Sequence, residues 1–478
     1  MAVRGIDEEP TPSVSQDAVS QRATSRPIDA PVPAPTTMST ATQLALELET
    51  ELPRLAIEPE WKAQQRLWGH PFHPMCSYLA SFPASLAHAF ISRYSRPGDV
   101  VLDPFAGRGT TPLQAAAEGR IGVGNDLNPF AHLLTASKVE PASAPEARTR
   151  LARLRLAWPA VAPAWEARAA AMQADPEGGP EPVPAEVAIA FHPRTFAQLL
   201  YVRDALDLDD RVDRFLAAAI TGILHGKSAS YLSDLMPNTF SMAPRYVRDF
   251  AARTGFEAGE RDVFDCLGAK LDRLFRAALP SGPGISLLGD ARDAGIRARA
   301  ALRLRGLPDR ARLVLTSPPY LRVVKYGYYN WLRAWFLGED PRAIDAALDD
   351  AHHRAPYLVF LREVLHGLRP ALTDDAIVVL VIGDVATDRG RTIRNGIGLA
   401  EGVWADAAAP EGYRLAGVAL DEVHAHRKMT KLWGDEAGRA TQLDRILVLG
   451  ASEAGRRRAV SGAALPVAWT WPPRLRAL

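Results

Sequence analysis

The sequence predicts an α/β protein built around one doubly wound, mostly parallel sheet. Apolar strands alternate with glycine-bearing turns and helical stretches over residues 100–135, and the same alternation resumes after residue 284. This alternation is typical of a parallel sheet with helices on both faces. The continuous apolar run at 376–385 is typical of a strand buried on both faces. We expect about seven strands in all.

Composition and charge are those of an ordinary soluble globular protein. The chain has 478 residues, of which 47% are hydrophobic and 23% charged, with a formal net charge of +1. An anionic partner must therefore be met by local positive patches. The two cysteines provide neither a disulfide framework nor a metal site. We see no apolar run that could span a bilayer and no apolar signal core, so we expect a cytoplasmic location.

The chain divides into five predicted segments. Residues 1–42 are rich in Pro, Ser, Thr and Ala and are expected to be a disordered tail. Residues 43–145 contain the first two strand–helix units, and 146–284 show helical spacing, which predicts a mostly helical insertion. The remaining strands lie in 285–450, and 451–478 form a basic and aromatic tail.

The first unit contains a short glycine loop, DPFAGRGTT. Gly107 and Gly109 allow a tight turn and let a ligand approach the backbone at a helix N-terminus. About 20 residues later, Asp126 ends the second strand, where a nucleotide-binding unit holds a ribose diol. Asp290 is predicted to end the third strand, where it is either an adenine contact or a helix cap. An ordinary strand–helix turn remains the alternative interpretation of the loop.

A second motif, TSPPY, follows an apolar strand. Two adjacent prolines cannot lie inside a sheet, so the strand must end at Thr316 or Ser317. The prolines make the next residues rigid and remove backbone donors, which leaves carbonyl groups held in place. Such a loop suits a site that holds an amine, and a plain rigid loop is the alternative interpretation.

Together, DPFAGRGTT and TSPPY resemble the S-adenosylmethionine-dependent amino-methyltransferases of DNA, and the Ser-Pro-Pro-Tyr form most resembles the cytosine-N4 branch. The resemblance covers about 70–145 and 285–450 and implies a Rossmann-like methyltransferase fold with S-adenosylmethionine as cofactor. His73-Pro74 and Phe82-Pro83 loosely match a further family stretch at the cofactor pocket. The cofactor-binding residues that the resemblance implies are His73, Asp103, Pro104, Phe105, Gly107, Gly109, Thr110, Asp126, Asn128 and Asp290.

The resemblance also implies the catalytic residues, which are Ser317, Pro318, Pro319 and Tyr320. Carbonyls at Ser317 and Pro318 would accept the hydrogens of an exocyclic amine, and Tyr320 would stack on the base. The expected partner is double-stranded DNA with the target base flipped out, and a cognate restriction or defence protein is a candidate partner. Adenine-N6 methylation, RNA base methylation and cofactor sensing by a DNA-binding protein without turnover remain alternatives.

Cations and aromatic residues indicate where nucleic acid would bind. In the insertion these are Lys227, Arg245 and Arg248, and after the proline loop they are Lys325 and Tyr326. The alternative for the insertion is an interhelical turn with solvated charges, and Trp331 and Trp335 are expected to pack in the core. In the resembled family, the target-recognition region follows the third strand or the Ser-Pro-Pro-Tyr strand. Here the insertion, a candidate recognition region, precedes the third strand.

Overall fold

The computed structural model describes residues 52–65, 67–78, 81–236, 242–319, 325–348, 353–383, 398–422 and 443–469. All of them belong to one unit, Thr50–Leu478. The predicted tail at 1–42 and the predicted catalytic residue Tyr320 lie outside the described residues. The division into five segments stays a prediction.

The described residues form a seven-stranded sheet in the order β3-β2-β1-β4-β5-β7-β6. Only β7 among these strands runs antiparallel to its neighbours, β5 and β6. This arrangement confirms the predicted α/β fold with a seven-stranded, mostly parallel, doubly wound sheet. The strands are β1 (Val100–Asp103), β2 (Ile121–Asp126), β3 (Gly284–Leu288), β4 (Ala311–Thr316), β5 (Leu372–Gly383), β6 (Arg414–Glu422) and β7 (Leu443–Gly450).

Helices connect the strands and cover the sheet. Those before β3 are α1 (Ala84–Tyr94), α2 (Thr110–Ala117), α3 (Pro129–Val139), α4 (Ala144–Ala174), α5 (Ala185–Ala190), α6 (Pro193–Ala205), α7 (Arg211–Thr221), α8 (Pro244–Thr254) and α9 (Val263–Leu274). Those after it are α10 (Ala294–Leu304), α11 (Tyr326–Tyr329), α12 (Trp331–Leu337), α13 (Pro341–Ala347), α14 (Arg354–Leu368), α15 (Leu399–Gly402) and α16 (Glu453–Ala463). A π-helical turn, Val403–Ala408, continues α15.

The order of the strands brings the two motifs together. The chain moves outward from β1 through β2 to β3, then returns to place β4 on the other side of β1. In such a sheet, ligands bind beyond the carboxyl ends of the strands where the order reverses. The glycine loop follows β1 and the proline pair follows β4, so both motifs lie at this reversal point.

Helices α4 to α9, between β2 and β3, pack into one apolar cluster with parts of α3 and α12. Trp331 on α12 is only 4% exposed, and Trp335 stacks on Phe196 of α6 with ring centroids 6.0 Å apart. These contacts confirm that both tryptophans pack in the core. Among the described residues, no helix combines the length and the apolar composition that a membrane span requires.

Candidate active site

The glycine loop adopts a backbone that favours glycine at two positions. Gly107 has φ of +51° and Gly109 has φ of +77°, both in the left-handed region. A Cβ atom at Gly109 would lie 2.8 Å from the Thr135 hydroxyl oxygen, because the loop runs against α3 at this point. At Gly107, a Cβ atom would face the ring of Tyr78 at 3.5 Å. The loop therefore packs against α3 at Gly109 and faces the ring of Tyr78 at Gly107.

Asp126, the last residue of β2, holds the glycine loop. One carboxylate oxygen accepts the Gly107 N–H at 2.7 Å, and the other accepts the Asn128 N–H at 2.9 Å. Burial raises the pKa of Asp126 to about 6, although these backbone hydrogen bonds act in the opposite direction. Asn128 in turn caps α3, since its side-chain oxygen accepts the Phe130 N–H.

Asp103, the last residue of β1, links the two motifs. Its Oδ1 atom accepts the Thr316 hydroxyl at 2.6 Å and the Phe105 N–H at 3.1 Å. The side chain is buried, and burial raises its pKa to about 7 while the hydrogen bond from Thr316 opposes the shift. Thr316 is the last residue of β4, so this bond joins the start of the glycine loop to the start of the proline pair.

Strand β4 ends at Thr316, one of the two positions that the proline pair predicts. The Ser317 hydroxyl donates to the Val381 carbonyl of β5 at 3.3 Å. A hydroxyl group carries one proton and two lone pairs, so the Ser317 oxygen can still accept a hydrogen bond. Pro318 is buried and Pro319 is partly buried directly after it.

Residues 49–137, which include the glycine loop and Asp126, match the model for N6 and N4 methyltransferases that is described as DNA methylase. This segment of the chain is therefore similar to the N6/N4 methyltransferase family. Over 71 residues it is 35% identical to Type II methyltransferase M.MjaII of Methanocaldococcus jannaschii, covering 15% of this chain and 13% of that protein. Over 49 residues it is 49% identical to Type II methyltransferase M.MthZI of Methanothermobacter thermautotrophicus, covering 10% and 14%.

These matches therefore span less than a sixth of either relative. Among solved structures, the chain is similar to the rRNA methyltransferase aviRa from Streptomyces viridochromogenes, with 14% identity and a TM-score of 0.30. That alignment covers 81% of this chain and 92% of the other.

Two of the predicted cofactor-binding residues, Asp290 and His73, have contacts that the sequence did not predict. The third strand ends at Leu288, so the prediction that it ends at Asp290 is wrong. Asp290 instead caps a 3-10 turn: its carboxylate accepts the Arg292 N–H at 2.8 Å and pairs with the Arg292 guanidinium at 2.9 Å. His73 bonds Gln114 of α2 at 2.8 Å, so it contacts the helix that follows the loop.

Tyr78 is a site residue that the sequence did not reveal. Asn128 Nδ2 donates to its hydroxyl at 3.2 Å, and its ring stacks on Tyr326 with centroids 5.8 Å apart and planes inclined by 24°. Burial raises its pKa well above the usual value, and the charge of Asp126 adds to the shift. Tyr78 thus connects Asn128, which follows β2, to the segment after the proline pair. In the sequence, the indication for Tyr78 is its position between His73-Pro74 and Phe82-Pro83, the stretch that resembles part of a cofactor pocket.

The predicted nucleic-acid contacts fall into two groups. Lys227, Arg245 and Lys325 are exposed, and no ion pair joins them to another described residue. Arg248 is also exposed, but its guanidinium pairs with the Glu186 carboxylate. The start of α8, which carries Arg245 and Arg248, is near α12, because the Trp331 Nε1–H donates to the Met242 carbonyl at 2.7 Å.

Proposed function

We propose that this chain transfers a methyl group from S-adenosylmethionine to an exocyclic amine of a flipped DNA base, with cytosine N4 as the favoured target. The observation that carries the proposal is the Thr316–Asp103 hydrogen bond of 2.6 Å. It joins the strand before the glycine loop to the strand before the proline pair. A cofactor at the first motif and an amine at the second would then be neighbours, as a direct transfer requires.

The residues at the loop fit an S-adenosyl cofactor. Asp126 is only partly buried, and a carboxylate oxygen that accepts one backbone N–H retains acceptor capacity for a ribose hydroxyl. Gly107 and Gly109 present no side chain to the ligand, which lets its amino-acid part lie against the backbone. When bound, the cofactor supplies a methyl group on a sulfonium, which is a good leaving group. The protein then needs mainly to position the acceptor.

The proline segment would hold the amine. The lone pair of an exocyclic amine is delocalised into the base, which makes the nitrogen a poor nucleophile. Carbonyl groups at Ser317 and Pro318 that accept hydrogen bonds from its two N–H groups would favour a pyramidal nitrogen. Since the Ser317 hydroxyl donates its hydrogen bond to the Val381 carbonyl, the hydroxyl oxygen would be a further hydrogen-bond acceptor for the amine. The base must leave the duplex to reach this site, at a cost of a few kcal/mol. Tyr320 is proposed to stack on it.

The preference for cytosine N4 rests on resemblance, because Ser precedes Pro-Pro-Tyr where Asp or Asn is found in adenine-directed relatives. A cytoplasmic location and a cognate restriction or defence partner complete the proposal. The relatives named above are Type II methyltransferases, which supports a role in restriction and modification.

The test incubates purified protein with unmethylated DNA and S-adenosylmethionine labelled on its methyl group, then digests the DNA to nucleosides for mass spectrometry. Labelled N4-methylcytosine is the expected product. Labelled N6-methyladenine would move the chain to the adenine branch. Label in RNA alone, or cofactor binding without transfer, would contradict the proposal. Ser317→Ala should slow single-turnover transfer without changing cofactor affinity, whereas the exposed Ser461→Ala should leave both unchanged.

A further inference from the structure

Three basic side chains lie beside the glycine loop, and no carboxylate of the described residues pairs with them. Lys138 of α3 is completely buried, Lys270 of α9 is 7% exposed, and Arg108 lies within the loop itself. None of the three forms an ion pair with a described residue. Burying charge without an opposite charge is costly, so such a group either loses its proton or is paired with an anion.

The two lysines are already engaged with neutral groups. Lys138 Nζ donates to the Arg108 carbonyl at 2.5 Å, and Lys270 Nζ donates to the Pro74 carbonyl at 3.4 Å. Burial lowers the pKa of Lys138 well below its usual value, and the charge of Arg108 lowers it further. Lys138 therefore acts mainly as a support that fixes the backbone of Arg108.

Arg108 differs because its donors remain available. Its Nε–H donates to the Thr110 hydroxyl at 3.3 Å, and its terminal nitrogens have no hydrogen-bond acceptor in the part of the chain that the structure describes. A guanidinium offers five N–H donors, so most of this group is unused. The side chain is partly exposed, and burial lowers its pKa only to about 10, so it stays charged at neutral pH.

Resting on the proposed function, we infer that Arg108 binds the carboxylate of the amino-acid part of the S-adenosyl cofactor. Arg108 lies between Gly107, whose N–H is held by Asp126, and Gly109 at the start of α2. A planar guanidinium matches a carboxylate through two parallel hydrogen bonds. A DNA phosphate is the less favoured anion, because the neighbouring Lys138 and Lys270 are too deeply buried to reach a strand.

The test compares two ligands that differ in one group. S-adenosylhomocysteine carries the carboxylate, and its decarboxylated form keeps the amine but lacks the carboxylate. Calorimetry measures both with the wild-type chain, Arg108→Met, Arg108→Lys and a control, Arg153→Met. Arg153 is an exposed arginine on α4 without an ion pair to any described residue. No turnover is needed for this readout.

For Arg108→Met we expect S-adenosylhomocysteine to bind about tenfold to a hundredfold more weakly, the usual effect of losing hydrogen bonds between charged groups. The decarboxylated ligand should bind as it does to the wild type, which also shows that the variant is folded. Arg108→Lys, which keeps the charge, should lose less, and Arg153→Met should lose nothing.

Three results would overturn the inference. The first is equal weakening of both ligands, and the second is unchanged binding of both. The third is a loss of DNA affinity in Arg108→Met with S-adenosylhomocysteine binding intact, which would assign the guanidinium to a phosphate. A wild-type chain that binds neither ligand would refute the proposed function itself. A chain that methylates DNA while Arg108→Met shows no ligand discrimination would refute only the role of Arg108.

Discussion

At the scale of single residues, Asp103 is a buried acid whose hydrogen bonds with Phe105 and Thr316 link the two motifs. Its pKa in the folded protein is about 7, above the usual 3.8. The folded state therefore keeps this proton while the unfolded chain releases it, so the native protein loses stability as the pH rises from about 4 to about 7. The slope is about 1.4 kcal/mol per pH unit for one proton.

Asp103→Asn removes this titration and keeps an oxygen for Thr316 and Phe105. The free energy of unfolding of the variant, minus that of the wild type, should be about 2–3 kcal/mol larger at pH 8 than at pH 5, because only the wild type loses stability over this range. Urea unfolding at both pH values measures it. Asp309→Asn is the control: its pKa is lowered by Arg299, so it is ionised at both pH values and its effect should not change. A pH-independent effect of Asp103→Asn would contradict the buried, protonated assignment.

Asp126 should instead control ligand binding. In the proposed site a ribose hydroxyl would donate to the Asp126 carboxylate, so the ionised form should bind the ligand. Burial raises the pKa of Asp126 to about 6. Affinity for S-adenosylhomocysteine should therefore be about tenfold weaker at pH 5 than at pH 7. Asp126→Ala should weaken binding at pH 7 by about tenfold to a hundredfold and remove most of the pH dependence. Calorimetry across this range tests both, and unchanged affinity in a folded variant would exclude Asp126 from the ribose site.

At the scale of elements, two glycine variants can distinguish the effect of packing between the glycine loop and α3 from the effect of a left-handed backbone. Gly109→Ala combines a φ of +77° with a Cβ 2.8 Å from the Thr135 hydroxyl oxygen. Gly306→Ala has a φ of +66° and no atom within 4 Å. Left-handed strain alone costs of order 1–3 kcal/mol.

We expect both glycine variants to lose this stability in urea unfolding, and Gly109→Ala to lose more because Thr135 must also move. Only Gly109→Ala should weaken binding of S-adenosylhomocysteine. Equal losses of stability and ligand binding in the two variants would show that the loop tolerates a side chain against α3.

Element ends were predictable where the signal was local. The proline pair stops β4 at Thr316 because proline cannot donate to a ladder. The end of β3 was misplaced by two residues, because no proline separates Leu288 from Asp290 and the Asp290 carboxylate is used as a cap. The contacts of Tyr78 with Asn128 and Tyr326 join distant parts of the chain, so no local pattern could predict them.

At the scale of the whole molecule, the alternation of strands and helices was enough to predict a doubly wound sheet. It was not enough to predict that β7 enters between β5 and β6 in the opposite direction, because strand direction depends on partners and not on local composition. The apolar cluster that unites α4 to α9 with α12 was also hidden, since it joins residues on both sides of β3 and β4. Within this cluster, the Trp331 side chain of α12 donates a hydrogen bond to the Met242 carbonyl just before α8. This bond connects α8 to the segment that follows the proline pair.

This connection leads to a prediction for DNA binding by the intact chain. A net charge of +1 gives little overall attraction to DNA, so affinity must come from local cations that release counterions from phosphate. Lys227 and Arg245 are exposed and have no ion pair within the described part of the chain, whereas Arg248 is paired with Glu186. The two unpaired cations should contact phosphate and Arg248 should not.

Each phosphate contact contributes about −0.9 to the slope of log affinity against log salt. The double variant Lys227→Ala, Arg245→Ala should therefore bind DNA more weakly and flatten the slope by about 2. Arg248→Ala, the matched control on the same helix, should leave the slope unchanged, and both proteins should bind S-adenosylhomocysteine like the wild type. Fluorescence anisotropy with a DNA duplex over a series of salt concentrations measures the slopes. If the double variant matched the wild type in affinity and slope, these cations would be solvated surface charges, and the DNA would have to be held by another face of the molecule.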